Sequence, residues 1–351
     1  MNRKFYIDLA EGGLKMPIGA DLVLKEKKNA EESRLNGASL GEVVAETARR
    51  YKTPLAFPLM DLTVEKEWML SILGISAAEI GSWHFRECPG EKEIAGIREG
   101  IGSVLTPKIR ANCEAIGYVG EQAGLVPVGM AIGPFSLMTK FVSDPITSVY
   151  LAGMGLTSAD EQEVRQVEAI LDLGLEVILK SIRLQVEAGA KAICVCEPAA
   201  NKVYFSPIQM EGGSNVFDRY VLMYNKRIRE FLAEMDVDLI FHNCGELTDA
   251  MLLKFNELDP AILSLGSSRD LPHDAGLISK NTVLFGNLPT KKFYSDVDLP
   301  LAKVREMTAF LKKRMKDSGH PFILGSECDV LHVPNSNKTI TEKINAMLQE
   351  S

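Results

Sequence analysis

The chain has 351 residues, 46% of them hydrophobic and 25% charged, with a formal net charge of −8. That is the composition of a soluble globular protein with ample core. The acid excess, with no Lys/Arg-rich block to offset it, argues against nucleic acid or an anionic membrane as the main partner. The opening Met1-Asn-Arg-Lys-Phe-Tyr-Ile-Asp8 leads into no apolar signal region, and the longest apolar stretch, 124–138, is interrupted by Pro127 and Pro134 and too short to span a bilayer. Six cysteines in a chain of this length do not read as a disulfide framework. A cytoplasmic protein with reduced thiols is expected.

Residues 1–50 read as a mostly helical extension packed on the main body. Beyond them, short apolar runs alternate with helical patterns. Thr53–Met60 reads as a strand that ends at Asp61, ahead of a helix with apolar Trp68, Leu70, Ile72 and Leu73. A helix over Ile109–Gly124 leads to a strand at Val126–Ile132 and then to Gly133-Pro134-Phe135-Ser136. A long helix from Ser158 to Ala188 carries Val164, Val167, Ile170, Leu171, Leu175 and Ile178 at helical spacing, and Ser158 with Glu161 has the form of a capping box.

Strand Ala192–Cys196 follows, ending in Glu197-Pro198, then a helix over Phe217–Glu234 and a strand from Asp238 that ends in His242-Asn-Cys244-Gly245. Short strands at Ala261–Leu265 and Thr282–Phe285 each end in glycine. A helix over Leu299–Asp317, a strand Pro321–Gly325 running into Ser326-Glu-Cys328, and a helix over Thr339–Gln349 complete the order. Strands alternating with helices of this length imply parallel βαβ units. Their number fits an α/β fold of the closed (β/α)8 TIM-barrel type, with residues 1–351 as one domain. No Gly-rich phosphate loop follows any strand, which counts against an open nucleotide-binding sheet.

In such a barrel every strand's C-terminal tip lies on one face, where active sites form. The tips here carry Asp61, Gly133-Pro134-Phe135, Glu197, His242 with Cys244, Gly266-Ser267, Gly286-Asn287 and Ser326 with Cys328. Residues two apart in a strand share a side, so His242 and Cys244 project together. With Cys328 they make three ligands suited to Zn²⁺ with a fourth position open, the arrangement of a catalytic metal. A buried cysteine at a strand end is commonly only packing, and the later cysteine tips the balance toward a metal. Glu197 and Asp61 are the acids expected beside it, and Gly133, Phe135, Ser267 and Asn287 are expected to contact a cofactor. Strand alternation from Ile193 and Val195 is read as turning Glu197 into the barrel, with Cys194 and Cys196 packed outward. His84, His273, His320 and His332 lack partners of matching spacing and read as surface or loop residues.

With these residues in place, the sequence resembles the uroporphyrinogen decarboxylase superfamily, and within it the zinc- and corrinoid-dependent methyltransferase branch. The resemblance runs through Pro17-Ile-Gly-Ala-Asp21, Asp61, Gly133-Pro-Phe135, Glu187-Ala-Gly-Ala190 before Glu197-Pro198, His242-Asn-Cys-Gly245 and Ser326-Glu-Cys-Asp-Val330. It implies zinc on His242, Cys244 and Cys328, and a corrinoid (cobalamin) supplied by a corrinoid-binding partner protein. Two departures matter. The Arg-rich segment with which the decarboxylases bind porphyrinogen carboxylates is missing, and the late cysteine sits in Gly-Ser-Glu-Cys. Asp61 matches the decarboxylases' pyrrole-binding aspartate and does not separate the branches. The expected reaction is methyl transfer between a small molecule and cobalt. Phe135, Tyr204, Phe205 and Phe217 near the mouth favour O-demethylation of a methoxylated aromatic, with a methylcobamide:thiol reaction as the alternative. A metal-free decarboxylase-like lyase and a non-catalytic binding protein are the remaining readings, and a homodimer is compatible with all of them.

Overall fold

Continuous apolar runs such as Ala192–Cys196, buried at every position, are what a parallel strand needs when it is covered on both faces. The computed structural model describes residues 1–349. Its strands are β1 (Lys15–Ile18), β2 (Leu55–Ala56), β3 (Val126–Ile132), β4 (Ala192–Cys196), β5 (Asp238–Asn243), β6 (Ile262–Leu265), β7 (Val283–Leu288) and β8 (Phe322–Asp329). All eight are parallel, in the order β1-β8-β7-β6-β5-β4-β3-β2, and helices fill the crossovers. The sheet curls into a TIM-like barrel, as the alternation of elements predicts.

Between β1 and β2 the sheet has no ladder. Pro17 lies within β1, and Pro54 and Pro58 flank β2, so the donors that would stitch this seam are missing. Side chains bridge it instead: the Thr53 hydroxyl lies 3.1 Å from the Met16 sulfur, and Met16, Ile18 and Leu55 share one apolar cluster. The prolines also shorten β2 to 2 residues, where the sequence reads as a strand of Thr53–Met60. Because β1 falls inside residues 1–50, that segment is not wholly an extension. It contributes the first barrel strand.

Two apolar layers face opposite sides of the sheet. The barrel interior holds Met16, Ile18, Leu55, Ile240, Phe285 and Ile323, and the layer beneath the helices holds Ile193, Val195, Leu239, Phe241 and Leu324. Cys194 and Cys196 belong to the interior layer. This reverses the expected phase of β4: the two thiols point inward, 3.8 Å apart, and Ile193 and Val195 point out. A fully apolar strand carries no alternation from which its inner face can be read.

The helix Arg3–Glu11 plugs the N-terminal end of the barrel. Tyr6, fully buried, packs among the interior residues and donates its hydroxyl to Asp238 at 2.9 Å. Arg3 donates to the carbonyls of Asp259 and Pro260 at the start of β6. Among the crossovers, the long helix spans Gln162–Glu187 and not Ser158–Ala188. Thr157 closes a local turn through Asp160, with N–H and hydroxyl contacts of 2.9 and 2.7 Å, and this competes with the expected Ser158 cap. The segment after Phe217 opens with a π turn, Asp218–Leu222, before the α-helix Met223–Glu234. Among the described residues no helix is long and apolar enough to cross a membrane.

Tyr6 yields a stability test. Tyr6→Phe removes one hydrogen bond and should cost about 1 kcal/mol, whereas Tyr6→Ala opens the barrel floor and should cost about 3–5 kcal/mol. Chemical denaturation of the two variants should rank them in that order.

Candidate metal centre at the barrel mouth

His242 stands at the end of β5, one residue before a tight tip. The Asn243 side chain builds that tip. Its amide donates to the carbonyls of Glu197 (2.6 Å) and Ala200 (3.0 Å), and its carbonyl oxygen accepts from Gly245 N–H (2.8 Å). Chain reversal here carries Cys244 back over the barrel beside His242. The loop after β6 passes directly against it: a Cβ on Gly266 would lie 2.7 Å from the Cys244 carbonyl oxygen, so only glycine allows that approach. Cys328, near the end of β8, completes the group. Ligand atoms of His242, Cys244 and Cys328 all lie within 4.8 Å of one another, while tetrahedral zinc places such atoms about 3.3–3.8 Å apart. A small inward adjustment closes the set on one ion.

The imidazole fits that role. His242 is 1% exposed. Its Nδ1 lies 2.8 Å from the Ser264 hydroxyl, while its buried Nε2 has no hydrogen-bond partner. An unpaired polar atom in that setting costs free energy, and one nitrogen anchored with the other directed at a shared point is the arrangement of a metal-bound histidine. The two thiols are half-buried. Sharing its site with Cys328 holds the Cys244 thiol well below its ordinary range, with His242 and Lys291 assisting against burial. The same sharing, and burial, push Cys328 upward. Lys291 is held above its ordinary value: burial opposes its charge, but Cys244, Cys328 and Glu327 outweigh it. The Cys328 sulfur also lies 3.7 Å from that of Met60.

The two acids take other places. Glu197 is fully buried, and in the observed phase of β4 its carboxylate points into the helical layer. It accepts from the N–H groups of Phe135 (3.2 Å) and Ser136 (2.6 Å) and from the Asn225 amide (3.1 Å), at the N-terminus of the helix Pro134–Thr139. Burial raises its pKa while these donors oppose the rise. The carboxylate thus does not turn into the barrel as the expected alternation of β4 had it: Glu197 stands behind the cluster, its own N–H donating to the His242 carbonyl at 2.9 Å. Gly133 makes room for it, since a Cβ there would meet the Glu197 carboxylate at 2.2 Å. Asp61 lies outside the ligand group. It accepts from Lys108 (2.9 Å) and from the Thr63 hydroxyl (2.5 Å). Burial works against its charge, yet Thr63 and Lys108 hold its pKa below the usual carboxylate range.

The residues expected at a cofactor divide similarly. Phe135 is fully buried, its ring tilted against that of Phe205 with centroids 4.6 Å apart, and Phe205 and Phe217 are core as well. Of the four aromatic residues expected around a ring-bearing substrate, only Tyr204 is partly exposed. Ser267 donates to Glu327 from both N–H (3.2 Å) and hydroxyl (2.6 Å). Asn287 donates to the carbonyls of Gly266 and Arg269 at 2.9 and 2.8 Å. Both pin the loop that passes Cys244. Sequence reasoning missed Ser264, Lys291, Glu327 and Met60. Ser264 sits opposite His242 in the β5–β6 register, a pairing that no local pattern encodes.

Fold and cluster together define a parallel α/β barrel with a His-Cys-Cys group able to hold a metal at its C-terminal mouth. A family model described as uroporphyrinogen decarboxylase (URO-D) matches residues 19–349, and the chain belongs to that family. Among curated proteins, the methylcobamide:CoM methyltransferase MtbA of Methanosarcina mazei is 26% identical over 188 residues, 53% of this chain and 50% of its own length. The methylcobamide:CoM methyltransferase MtbA of Methanosarcina acetivorans is 29% identical over 140 residues, 39% of this chain and 36% of its own length. The match thus spans half or less of these relatives. A solved structure, a methyltransferase from Methanosarcina mazei, superimposes on 100% of this chain and 99% of its own with a TM-score of 0.69 at 16% identity. That likeness corroborates the fold.

Two substitutions separate the roles assigned here. Ser264→Ala frees the imidazole to rotate and should lower zinc affinity about 10–100-fold, read by competition with a chromogenic chelator. Glu197→Gln should leave zinc affinity within a few-fold of the parent but cost about 1–3 kcal/mol of stability by weakening a buried charged network. If instead the Gln variant loses zinc with stability intact, Glu197 reaches the metal.

Proposed function

We propose that this chain is a zinc- and corrinoid-dependent methyltransferase that moves a methyl group from a methylcobamide, presented by a corrinoid protein at the barrel mouth, to a small thiol. The observation that carries this reading is the convergence of the unpartnered His242 Nε2 with the sulfurs of Cys244 and Cys328. Zinc bound there supplies a Lewis acid that holds an incoming thiol as its thiolate. Ser264 fixes the imidazole. Cys244 and Cys328 provide two anionic donors, so their centre is close to neutral before a third sulfur arrives. The Lys291 ammonium, facing both thiols, offsets the negative charge that the third one adds. Such a transfer would form a sulfur–carbon bond at the acceptor thiolate as the carbon–cobalt bond of the methylcobamide substrate breaks, its electron pair leaving with the corrinoid.

Thiol methylation displaces the aromatic ether as first reading. Three of the four rings that favoured an ether are core, and the matched relatives carry methylcobamide:CoM activity in their names. O-demethylation runs the same in-line displacement in the opposite direction at cobalt and remains the second reading, through the same three ligands.

Purified protein should contain one zinc per chain. It should demethylate free methylcobalamin in the presence of a small thiol, followed by the absorbance change to cob(I)alamin under anaerobic conditions. His242→Ala, Cys244→Ala and Cys328→Ala should each lose zinc and at least about 100-fold in rate, since even the partners of metal ligands are worth 10–100-fold. Full decarboxylase-like turnover of a carboxylated substrate by the metal-stripped protein would refute the proposal. Methylation of cob(I)alamin by methoxylated aromatics, with no thiol reaction, would select the second reading.

A further inference from the structure

A second recess opens on the mouth face, where the chain leaves β2 and β3. It has a volume of about 460 Å³, and its polar lining is Thr63, Lys66, Glu67, His84 and Lys140. Lys66 is the informative residue. It is 5% exposed, yet among the described residues its ammonium has no ion pair and no hydrogen bond. Its nearest favourable contact is the face of the Phe141 ring, 5.8 Å from the centroid. Its stem is buried while its ammonium stands at the lining of the recess with no counter-charge, and burial, with Lys140 close by, pulls the Lys66 pKa down.

The acid in the recess does not neutralise it. The Glu67 carboxylate accepts from Lys108 at 2.5 Å and from the Thr63 hydroxyl at 2.9 Å, and Lys108 is shared with Asp61. Two lysines therefore border the space with no anion of the protein set against them. The N-terminus of the helix Val64–Ile72 opens beside them. Thr63, at its N-cap, turns its hydroxyl to the Asp61 and Glu67 carboxylates and makes no cap bond to a first-turn N–H, so the positive end of the helix dipole borders the recess.

We infer that this recess is a binding site for an oxyanion group, a carboxylate, sulfonate or phosphate, held between Lys66, Lys140 and the first turn of the helix Val64–Ile72. Two molecules that would meet at this mouth carry such a group: a small substrate with an acid function, and a cobamide, through its phosphodiester. The site stands on its own geometry and does not require the triad to work as proposed. The bland alternative is a lysine whose stem packs in the core while its head reaches water, and that reading predicts no anion binding.

The chain's two tryptophans report on the site. Trp68 lies in the same helix, and Trp83 packs edge-on against Phe85 and Phe141 at 4.6 and 6.3 Å. Titration of the protein with sodium sulfate, phosphate or acetate against chloride, at constant ionic strength, should give a saturable fluorescence change with at least one of them. Lys66→Met keeps the apolar stem and should weaken that binding at least tenfold. Lys140→Met, at the half-buried rim, should weaken it measurably and decides the matter if the first variant does not fold. His242→Ala should bind the anion as the parent does, which separates this site from the metal centre. Equilibrium dialysis of labelled sulfate then distinguishes the sources. Displacement by 3-mercaptopropionate assigns the site to a substrate acid, and displacement by cyanocobalamin assigns it to the cobamide phosphodiester. Absence of saturable binding, or equal affinity in parent and both lysine variants, would overturn the inference.

Discussion

The mouth of this barrel depends on one buried amide. Asn243 joins the tip of β5 to the turn after β4 through its two donated bonds and caps its own turn through Gly245. Its neighbour Glu197 adds a second tie through the His242 carbonyl, while the Glu197 carboxylate anchors the same turn to the helix after β3. Three consecutive tips thus move as one body. A loop residue such as Cys244 would otherwise sample many positions; here it is held where His242 and Cys328 can share a ligand with it. Preorganisation of this kind is what a metal site on a loop requires. It also accounts for a fully buried acid that touches no ligand atom.

Much of this was legible in the sequence. The limits of β3 and β4 match the apolar runs residue for residue, because short runs bounded by Gly, Pro and charge leave little freedom in placing a buried strand. His242 and Cys244 were legible because a two-residue spacing at a strand end has one geometric meaning. What the sequence did not show falls into two physical kinds. The face of β4 could not be read from Ala-Ile-Cys-Val-Cys, whose side chains suit either layer, and the misplaced Glu197 follows from that alone. Ser264 and Lys291 depend on which strands and loops become neighbours, information that resides in the closed sheet.

Sequence position also misled about aromatic side chains. Phe135, Phe205, Phe217 and Phe255 lie in order along one chain of ring contacts, with centroids 4.6 to 5.7 Å apart, and they pack the helical layer behind the mouth. A residue one or two positions past a strand tip can turn into the cavity or back under the following helix. Phe135 turns back because Pro134 starts a helix immediately and Glu197 draws the Phe135 N–H inward. The anchor that steadies the metal ligands is therefore also what removes the ring from the cavity.

The charge state of the triad follows from the same crowding. Two thiols crowded in a half-buried site do not both ionise readily in the absence of a cation, and the balance favours the thiolate at Cys244 over Cys328. A dication held there would displace the remaining proton, because metal ligation by thiols requires both as thiolates. The surroundings favour that exchange. Lys291 contributes positive charge from one side, and Ser264 holds the His242 ring through its Nδ1. Below the cluster, Cys196 is fully buried and its ionisation is opposed by Cys194, by burial and by the two ligand thiols, so it stays neutral and apolar beneath them. Negative charge is thereby confined to the two sulfurs that face the mouth, and it is there that an incoming electrophile or cation meets it.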